Sequence, residues 1–269
     1  MKVLITGAGG FLGTYFAQHL DHDVDAPNRQ DLNLTNSAEV AKQLRSGHYD
    51  VILHCASAGR NTAKSMDADI ATNNLVGFSN LVANRHEFGM LINFATGAEF
   101  DIDTDINCVS ETEIWSRNPI HSYGRSKNII ARQAQMLTDF YNLRIFGCFD
   151  SSESNHRPLK TFINKAKLGQ TFSIPADKEF DMISVPDILT VTQAVMAKQI
   201  SDKDINLVYN TKYKLSDFII MFAELHNLDT KLVSVGAVDQ NCYTGDGSKL
   251  SALGLELLGL EKSLKNYQI

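Results

Sequence analysis

The chain has 269 residues, 43% of them hydrophobic and 21% charged, which gives material for an ordinary globular core and excludes a disordered chain. A formal charge of −6 with no basic run argues against nucleic acid as the main partner, because a phosphate backbone needs clustered Lys and Arg. The cysteines (Cys55, Cys108, Cys148, Cys242) are far apart and form no CxxC, His is scattered, and no apolar run reaches a membrane span. No metal site, no membrane segment and no leader are therefore expected, and reduced thiols in the cytoplasm are the expectation.

In chain order, Lys2–Thr6 (KVLIT) predicts a buried strand, Phe11–Leu20 a helix and Val24–Ala26 a short strand. Ser37–Ser46 predicts a second helix capped by Asn36 or Ser37. Asp50–Cys55 is a buried strand, Ile70–Arg85 a long helix and Met90–Phe94 another strand. Pro119–Tyr141 begins as a loop and becomes a helix, and Leu143–Phe146 is the next strand. Apolar strands alternating with helices imply a parallel sheet covered on both faces. The expected fold is α/β, a Rossmann-type doubly wound parallel sheet over 1–150. Beyond it the pattern changes. A polar loop (Ser151–Arg157) precedes helices at Leu159–Leu168, Pro186–Lys198 and Leu215–His226, with short strands at Thr171–Ile174 and Leu207–Asn210. Residues 151–269 read as a smaller C-terminal substrate-binding portion interwoven with the first.

The Thr6–Gly13 segment, TGAGGFLG, puts Gly7, Gly10 and Gly13 directly after a strand, with Phe11 and Leu12 opening a helix. Glycines there allow a tight turn and let backbone N–H groups approach a pyrophosphate, to which the helix N-terminus adds a favourable dipole. A dinucleotide cofactor is expected, NADP or NAD. An acid closing the second strand would bind ribose hydroxyls, whereas an arginine would accept the extra phosphate of NADP. Asp25 comes too early for the first role, and Arg29 stands where the second is filled, so NADP is preferred. The bland alternative is that Arg29 is a solvated loop charge.

Tyr123 and Lys127, in HSYGRSK, lie four apart on a predicted helix and share a face. A phenol titrates far above neutral pH, so a catalytic tyrosine needs its anion stabilised. An ammonium one turn away, with a positive nicotinamide ring, would do this. The expected chemistry is hydride transfer at a carbon bearing a hydroxyl or ketone. Thr96, at the end of the preceding strand, is the hydroxyl placed to hold the substrate oxygen. Its alternative role is to cap backbone groups. His156 and Arg157, with Asn155 and Lys160, form a polar and basic patch suited to a sugar-nucleotide diphosphate, or else a solvated loop. His121 is a further candidate for substrate contact. Trp115 would stack on a sugar or nicotinamide, or simply pack.

These motifs together resemble the extended short-chain dehydrogenase/reductase superfamily, in its nucleotide-sugar epimerase, dehydratase and reductase branch, over nearly the whole chain. TGAGGFLG resembles the phosphate turn. Asp31 and Leu32, in DLNLTN, resemble the adenine-pocket segment. HCAS (His54–Ser57) resembles the motif that runs along the dinucleotide, implying contacts from Cys55, Ala56 and Ser57. The Asn73–Gly77 stretch resembles N-x-x-G and implies a role for Asn73. YGRSK resembles the catalytic pair. FDMISVPDI (Phe180–Ile188) resembles the segment that returns to the substrate side, and Gly245–Leu253 the C-terminal element. RQDLNLTN is most similar to GDP-fucose synthases, and ATGAEFD to dTDP-4-dehydrorhamnose reductases, whose catalytic threonine falls on Thr96. The acid pair of dehydratases would fall on Ala98 and Glu99, and a partner cysteine used in epimerisation on Ala98. Glu99 therefore remains as a substrate-side acid while its neighbour is missing. The RIFGCFD stretch stands where relatives have R-x-x-N-x-Y-G, so the substrate pocket departs from the family's.

The resemblance implies an NAD(P)-dependent reductase or epimerase acting on a nucleotide-activated sugar, with a homodimer through the helices that carry Asn73 and Tyr123. A non-catalytic NAD(P)-binding or regulatory protein on the same fold is the alternative. An intact Tyr123 and Lys127 argue against it.

Overall fold

A computed structural model describes residues 1–59, 67–239 and 241–269. The chain runs through β1 (Lys2–Thr6), α1 (Phe11–His19), β2 (Asp23–Asp25), α2 (Ser37–Gly47), β3 (Tyr49–His54), α3 (Asp67–Ala83) and β4 (Phe88–Thr96). It continues with β5 (Ile106–Val109), α4 (Ser122–Gln135), β6 (Phe140–Ile145), β7 (Cys148–Phe149), α5 (Pro158–Lys167), β8 (Phe172–Asp177) and β9 (Ile183–Ser184). The last elements are α6 (Val185–Met196), β10 (Asp204–Leu207), α7 (Leu215–Leu225), β11 (Val233–Val238), β12 (Tyr243–Gly245), α8 (Ser248–Ala252) and α9 (Leu260–Lys265). No helix among the described residues is long and apolar enough to cross a membrane.

The chain divides into two compact units. The first comprises 1–102, 112–144 and 192–205, and the second 103–111, 145–191 and 206–269. A parallel six-stranded sheet in the order β10-β6-β4-β3-β1-β2 gives the expected Rossmann-type α/β fold. β1 pairs in parallel with β2 and β3, and β3 with β4. Strands buried on both faces must be apolar throughout, which explains the unbroken runs KVLIT and VILH. Leu4, Ile52 and Leu91 pack with Phe78 and Leu81 of α3 and Ile130 and Ala134 of α4. Each buried Leu, Ile or Phe side chain contributes about 1.5–3 kcal/mol.

The second unit has a separate core, where Phe149, Phe162, Phe172, Phe218 and Phe222 cluster. Its strands pair only two at a time among the described residues: β11 with β8, β12 with β5, and β7 with β9. The sequence pattern misses β5, β7, β9, β11 and β12, which are short or, like the mostly exposed β11, lack the unbroken apolar run that marks the strands of the first unit.

Other differences are local. The helix expected to run to Tyr141 ends at Gln135, and β6 begins at Phe140. Asp139 between them has φ 56°, which no helix accommodates, and Phe140 and Tyr141 are drawn into the core. The strand expected at Leu207–Asn210 lies earlier, at Asp204–Leu207. Asn36 is the cap of α2, accepting N–H bonds from Ala38 and Glu39.

Candidate active site

The turn after β1 is built by absence of side chains. Gly7 has φ +74°, and a Cβ there would lie 2.5 Å from the Ala56 nitrogen. A Cβ on Gly13 would lie 2.3 Å from the Gly7 carbonyl oxygen. Both positions therefore need glycine, for close approach and, at Gly7, also for its backbone angle. Gly10 caps α1 without any side-chain hydrogen bond, and no acidic residue occupies the first turn. A helix N-terminus in that state favours an anion. Phe11 and Leu12 are half-buried behind it. The structure brings Cys55 and Ala56 against Gly7, with the Cys55 N–H donating to Thr6 O at 3.1 Å. Ser57 is exposed beside them. This cradle, which a Cβ would fill, fits the pyrophosphate of a dinucleotide.

Farther along, Leu32 is buried while Arg29 and Asp31 are exposed. Asp25 at the end of β2 is engaged inward, accepting from the Tyr49 hydroxyl and, at 2.8 Å, from Gln43 Nε2. Its carboxylate is thus held by protein donors, and Arg29 is an exposed cation four residues on.

Asn73 is half-buried, and its neighbour Asn74 does the anchoring. Asn74 Oδ1 accepts the Ala58 N–H at 2.7 Å, and its Nδ2 donates to Ala58 O and to Ser126 Oγ, both at 3.1 Å. Asn74 therefore ties the segment after β3 to α4. Counting N-x-x-G backward from Gly77 points to Asn74, a signal the assignment to Asn73 passed over.

His54 at the end of β3 is fully enclosed, with Nδ1 2.8 Å from Thr6 Oγ1. Burial, with the nearby Lys127 charge, pushes its pKa down to about 3, so the ring is neutral.

The second turn follows β4. Thr96 Oγ1 accepts the Ala98 N–H at 3.3 Å, and Glu99 Oε1 accepts the Thr96 N–H at 3.1 Å, closing a capping box on the 3₁₀ turn Gly97–Phe100. Capping occupies a lone pair of the Thr96 hydroxyl, which keeps its O–H for donation. The first turn of α4 packs on this turn, where a Cβ on Gly124 would come within 2.5 Å of Ala98 O. A cleft is lined there by Ala98, Asp101, Ile102, Pro119, His121, Tyr123 and Gly124. Tyr123 and His121 thus meet at one opening.

Lys127 is buried one turn on, donating to Phe94 O at 2.8 Å and Asn93 Oδ1 at 3.4 Å. Asn93 Nδ2 donates to Asn142 Oδ1 at 2.8 Å, whose own Nδ2 donates to Ala131 O. Burial lowers the Lys127 pKa below its ordinary value. The Glu99 carboxylate and the Cys55 thiol oppose that, and Arg144 adds to it.

Burial separates one substrate candidate from solvent, and pairing engages another. Glu99 is 0% exposed, and its Oε2 accepts Arg144 Nε at 2.9 Å, so its carboxylate faces the core, not a ligand. Arg157, in the second unit, turns its guanidinium to Cys148 O and to Glu153 Oε2, the latter at 3.0 Å. Glu153 in turn accepts the Tyr267 hydroxyl at 3.1 Å. His156 beside it is exposed. Trp115 is exposed, with the Arg132 guanidinium 5.5 Å from its ring.

Comparisons with known proteins bear on the fold and the family. No curated protein matches the chain. Solved structures do, at low identity. A dTDP-4-dehydrorhamnose reductase from Bacillus anthracis in complex with NADP is 20% identical with a TM-score of 0.85, covering 99% of this chain and 96% of that one. A GDP-mannoheptose C4 reductase from Campylobacter jejuni with NADP bound is 18% identical with a TM-score of 0.82, covering 98% and 96%. A GDP-L-fucose synthetase from Naegleria fowleri bound to NADP is 12% identical with a TM-score of 0.79, covering 98% and 90%. These likenesses establish the fold. Residues 3–210, which hold the glycine cradle and the Tyr123–Lys127 helix, match the sequence profile of a single family. The chain belongs to the NAD dependent epimerase/dehydratase family.

Proposed function

We propose that the chain is an NADPH-dependent reductase of the 4-keto carbon in a nucleotide-activated hexose. The observation that carries this reading is the cleft where Tyr123 and His121 meet beside buried Lys127 and the Thr96 turn. Bound NADPH would supply the hydride. Tyr123 would give its phenolic proton to the carbonyl oxygen as that carbon is reduced to an alcohol. The Lys127 ammonium would stabilise the phenolate left behind, and the Thr96 O–H would donate to the same oxygen. Gly7, Gly10 and Gly13 would hold the pyrophosphate, and Arg29 the 2′-phosphate, which the inward engagement of Asp25 supports.

Reduction is favoured over dehydration, and over epimerisation by deprotonation at carbon, because the Ala98 methyl lines the cleft where either would need a second acid. Val76 on α3 and Ile129 and Met136 at α4 are exposed apolar residues, and they support a homodimer through these two helices. All four cysteines are free, which suits the reducing cytoplasm.

The test is NADPH oxidation by the purified protein with GDP- and dTDP-linked 4-keto-6-deoxyhexoses. Turnover that falls about a hundredfold or more in Tyr123→Phe, with NADPH binding retained, is the expected result. Tight NADPH binding without turnover of any such sugar would favour a non-catalytic nucleotide-binding protein instead.

A further inference from the structure

Three buried charged groups of the first unit that the proposed chemistry does not use, Glu99, Arg144 and Asp204, meet at one spot. Arg144 on β6 is 0% exposed. Its Nε donates to Glu99 Oε2 at 2.9 Å, and its Nη2 lies 2.9 Å from Asp204 Oδ1 on β10. The Phe100 ring lies under the guanidinium at 5.0 Å, and Gln135 Nε2 holds the other oxygen of Asp204. A buried pair of this kind contributes little net stability, and its usual justification is specificity or function.

What Glu99 touches gives it a function. Its other oxygen accepts the Thr96 N–H at 3.1 Å. Its backbone oxygen accepts Asn128 Nδ2 at 2.9 Å, and Asn128 is the residue after Lys127. Lys127 reaches Phe94 O, two residues before Thr96. The turn that carries Thr96 and the helix that carries Tyr123 and Lys127 are thus joined at Phe94, Ala98 and Glu99. We propose that Glu99, held by Arg144, is a positioning residue that fixes the Thr96 turn against α4 and provides the buried counter-charge of Lys127. The inference rests on the reading of Tyr123, Lys127 and Thr96 as the reacting set.

Among the described residues, four buried groups are coupled electrostatically to Lys127. Glu99 comes from the turn after β4, Arg144 from β6, the Cys55 thiol from the segment after β3, and neutral His54 from β3 itself. Among them Glu99 is the strongest influence keeping the ammonium charged. Burial raises Glu99 above the ordinary carboxylate range, against the pull of Arg144 and Lys127.

Charge and capping can be separated by substitution. Glu99→Gln keeps an oxygen for the Thr96 N–H and removes the charge. The measurement is an NMR titration of the Lys127 side chain in isotope-labelled protein, assigned with Lys127→Arg, alongside hydrogen exchange at the Thr96 amide. In Glu99→Gln the Lys127 midpoint should fall by about one pH unit or more while the Thr96 amide stays protected. Glu99→Asp should restore the midpoint. Should Glu99→Gln fail to fold, the double variant Glu99→Gln/Arg144→Gln removes both buried charges together, and its midpoint should also lie below wild type. An unchanged midpoint in whichever variant folds overturns the counter-charge. Loss of Thr96 protection in Glu99→Gln overturns the separation of the two roles. Neither result touches the hydride chemistry, whose own failure would be a Tyr123→Phe variant as active as wild type.

Discussion

Two turns leave strands on either side of β3, and they solve opposite problems. The turn after β1 is made of glycine, and its helix begins with no side-chain cap. The turn after β4 is closed by its own side chains, with Thr96 and Glu99 capping each other's backbone. The first leaves backbone donors and space for an anion to approach. The second satisfies its donors internally and so gains a fixed geometry for a hydroxyl. The open turn depends on what is absent at Gly7 and Gly13, and the closed turn on what is present at Thr96, Glu99 and Arg144.

Substitutions can break each side separately. The largest effect is expected from Gly13→Val, whose Cβ would enter the 2.3 Å gap to Gly7 O. NADPH affinity, followed by fluorescence titration, should fall about a hundredfold or more, with the closed turn untouched. Thr96→Val should break the closed turn alone. Turnover of a 4-keto sugar nucleotide should fall by about tenfold to a hundredfold, and unfolding stability by about 1 kcal/mol, with NADPH affinity retained. Equal losses of affinity in both variants would show that the two turns are one coupled device.

His54 lies under the open turn and makes its stability depend on pH. Its folded pKa of about 3 is below the ordinary 6.5, so the unfolded chain binds the extra proton. The stability contribution is therefore present above pH 6.5 and lost as pH falls toward 3, at up to about 1.4 kcal/mol per pH unit. Denaturant unfolding at pH 7 and pH 5 should show the loss, and His54→Gln should flatten it. The smallest effect belongs to Arg29→Ala. The preference for NADPH over NADH should narrow by about tenfold, one charge-assisted contact, in paired dissociation constants. An unaltered preference would remove Arg29 from the cofactor site.

The open turn was legible in the sequence and the closed turn only partly so. Glycines at 7, 10 and 13 after an apolar strand are a local pattern, as are Tyr123 and Lys127 one helical turn apart. Thr96 could be named as a strand-end hydroxyl, but its capping role depends on Glu99 folding back three residues. Glu99 read as a substrate acid because its partner, Arg144, lies 45 positions away in sequence. A lone charged residue inside a buried strand was the available signal, since a charge is buried there only with a partner. Asn74 and Asp25 were obscured in the same way, since their side chains act across elements on Ala58, Ser126 and Tyr49. In the second unit, the sequence offers Arg157 as a phosphate grip and does not reveal its bonds to Glu153 and Cys148.

The central claim is that Tyr123 protonates an oxygen as a hydride reaches the carbon bearing it. Transfer of deuterium from NADPH labelled at the nicotinamide C4 to a 4-keto-6-deoxyhexose nucleotide tests it most directly, with the product read by mass spectrometry. One deuterium on the sugar C4 with wild type, and about a hundredfold less under the same conditions with Tyr123→Phe, is the predicted result. Equal label from both proteins, or none from wild type that binds NADPH tightly, would contradict it.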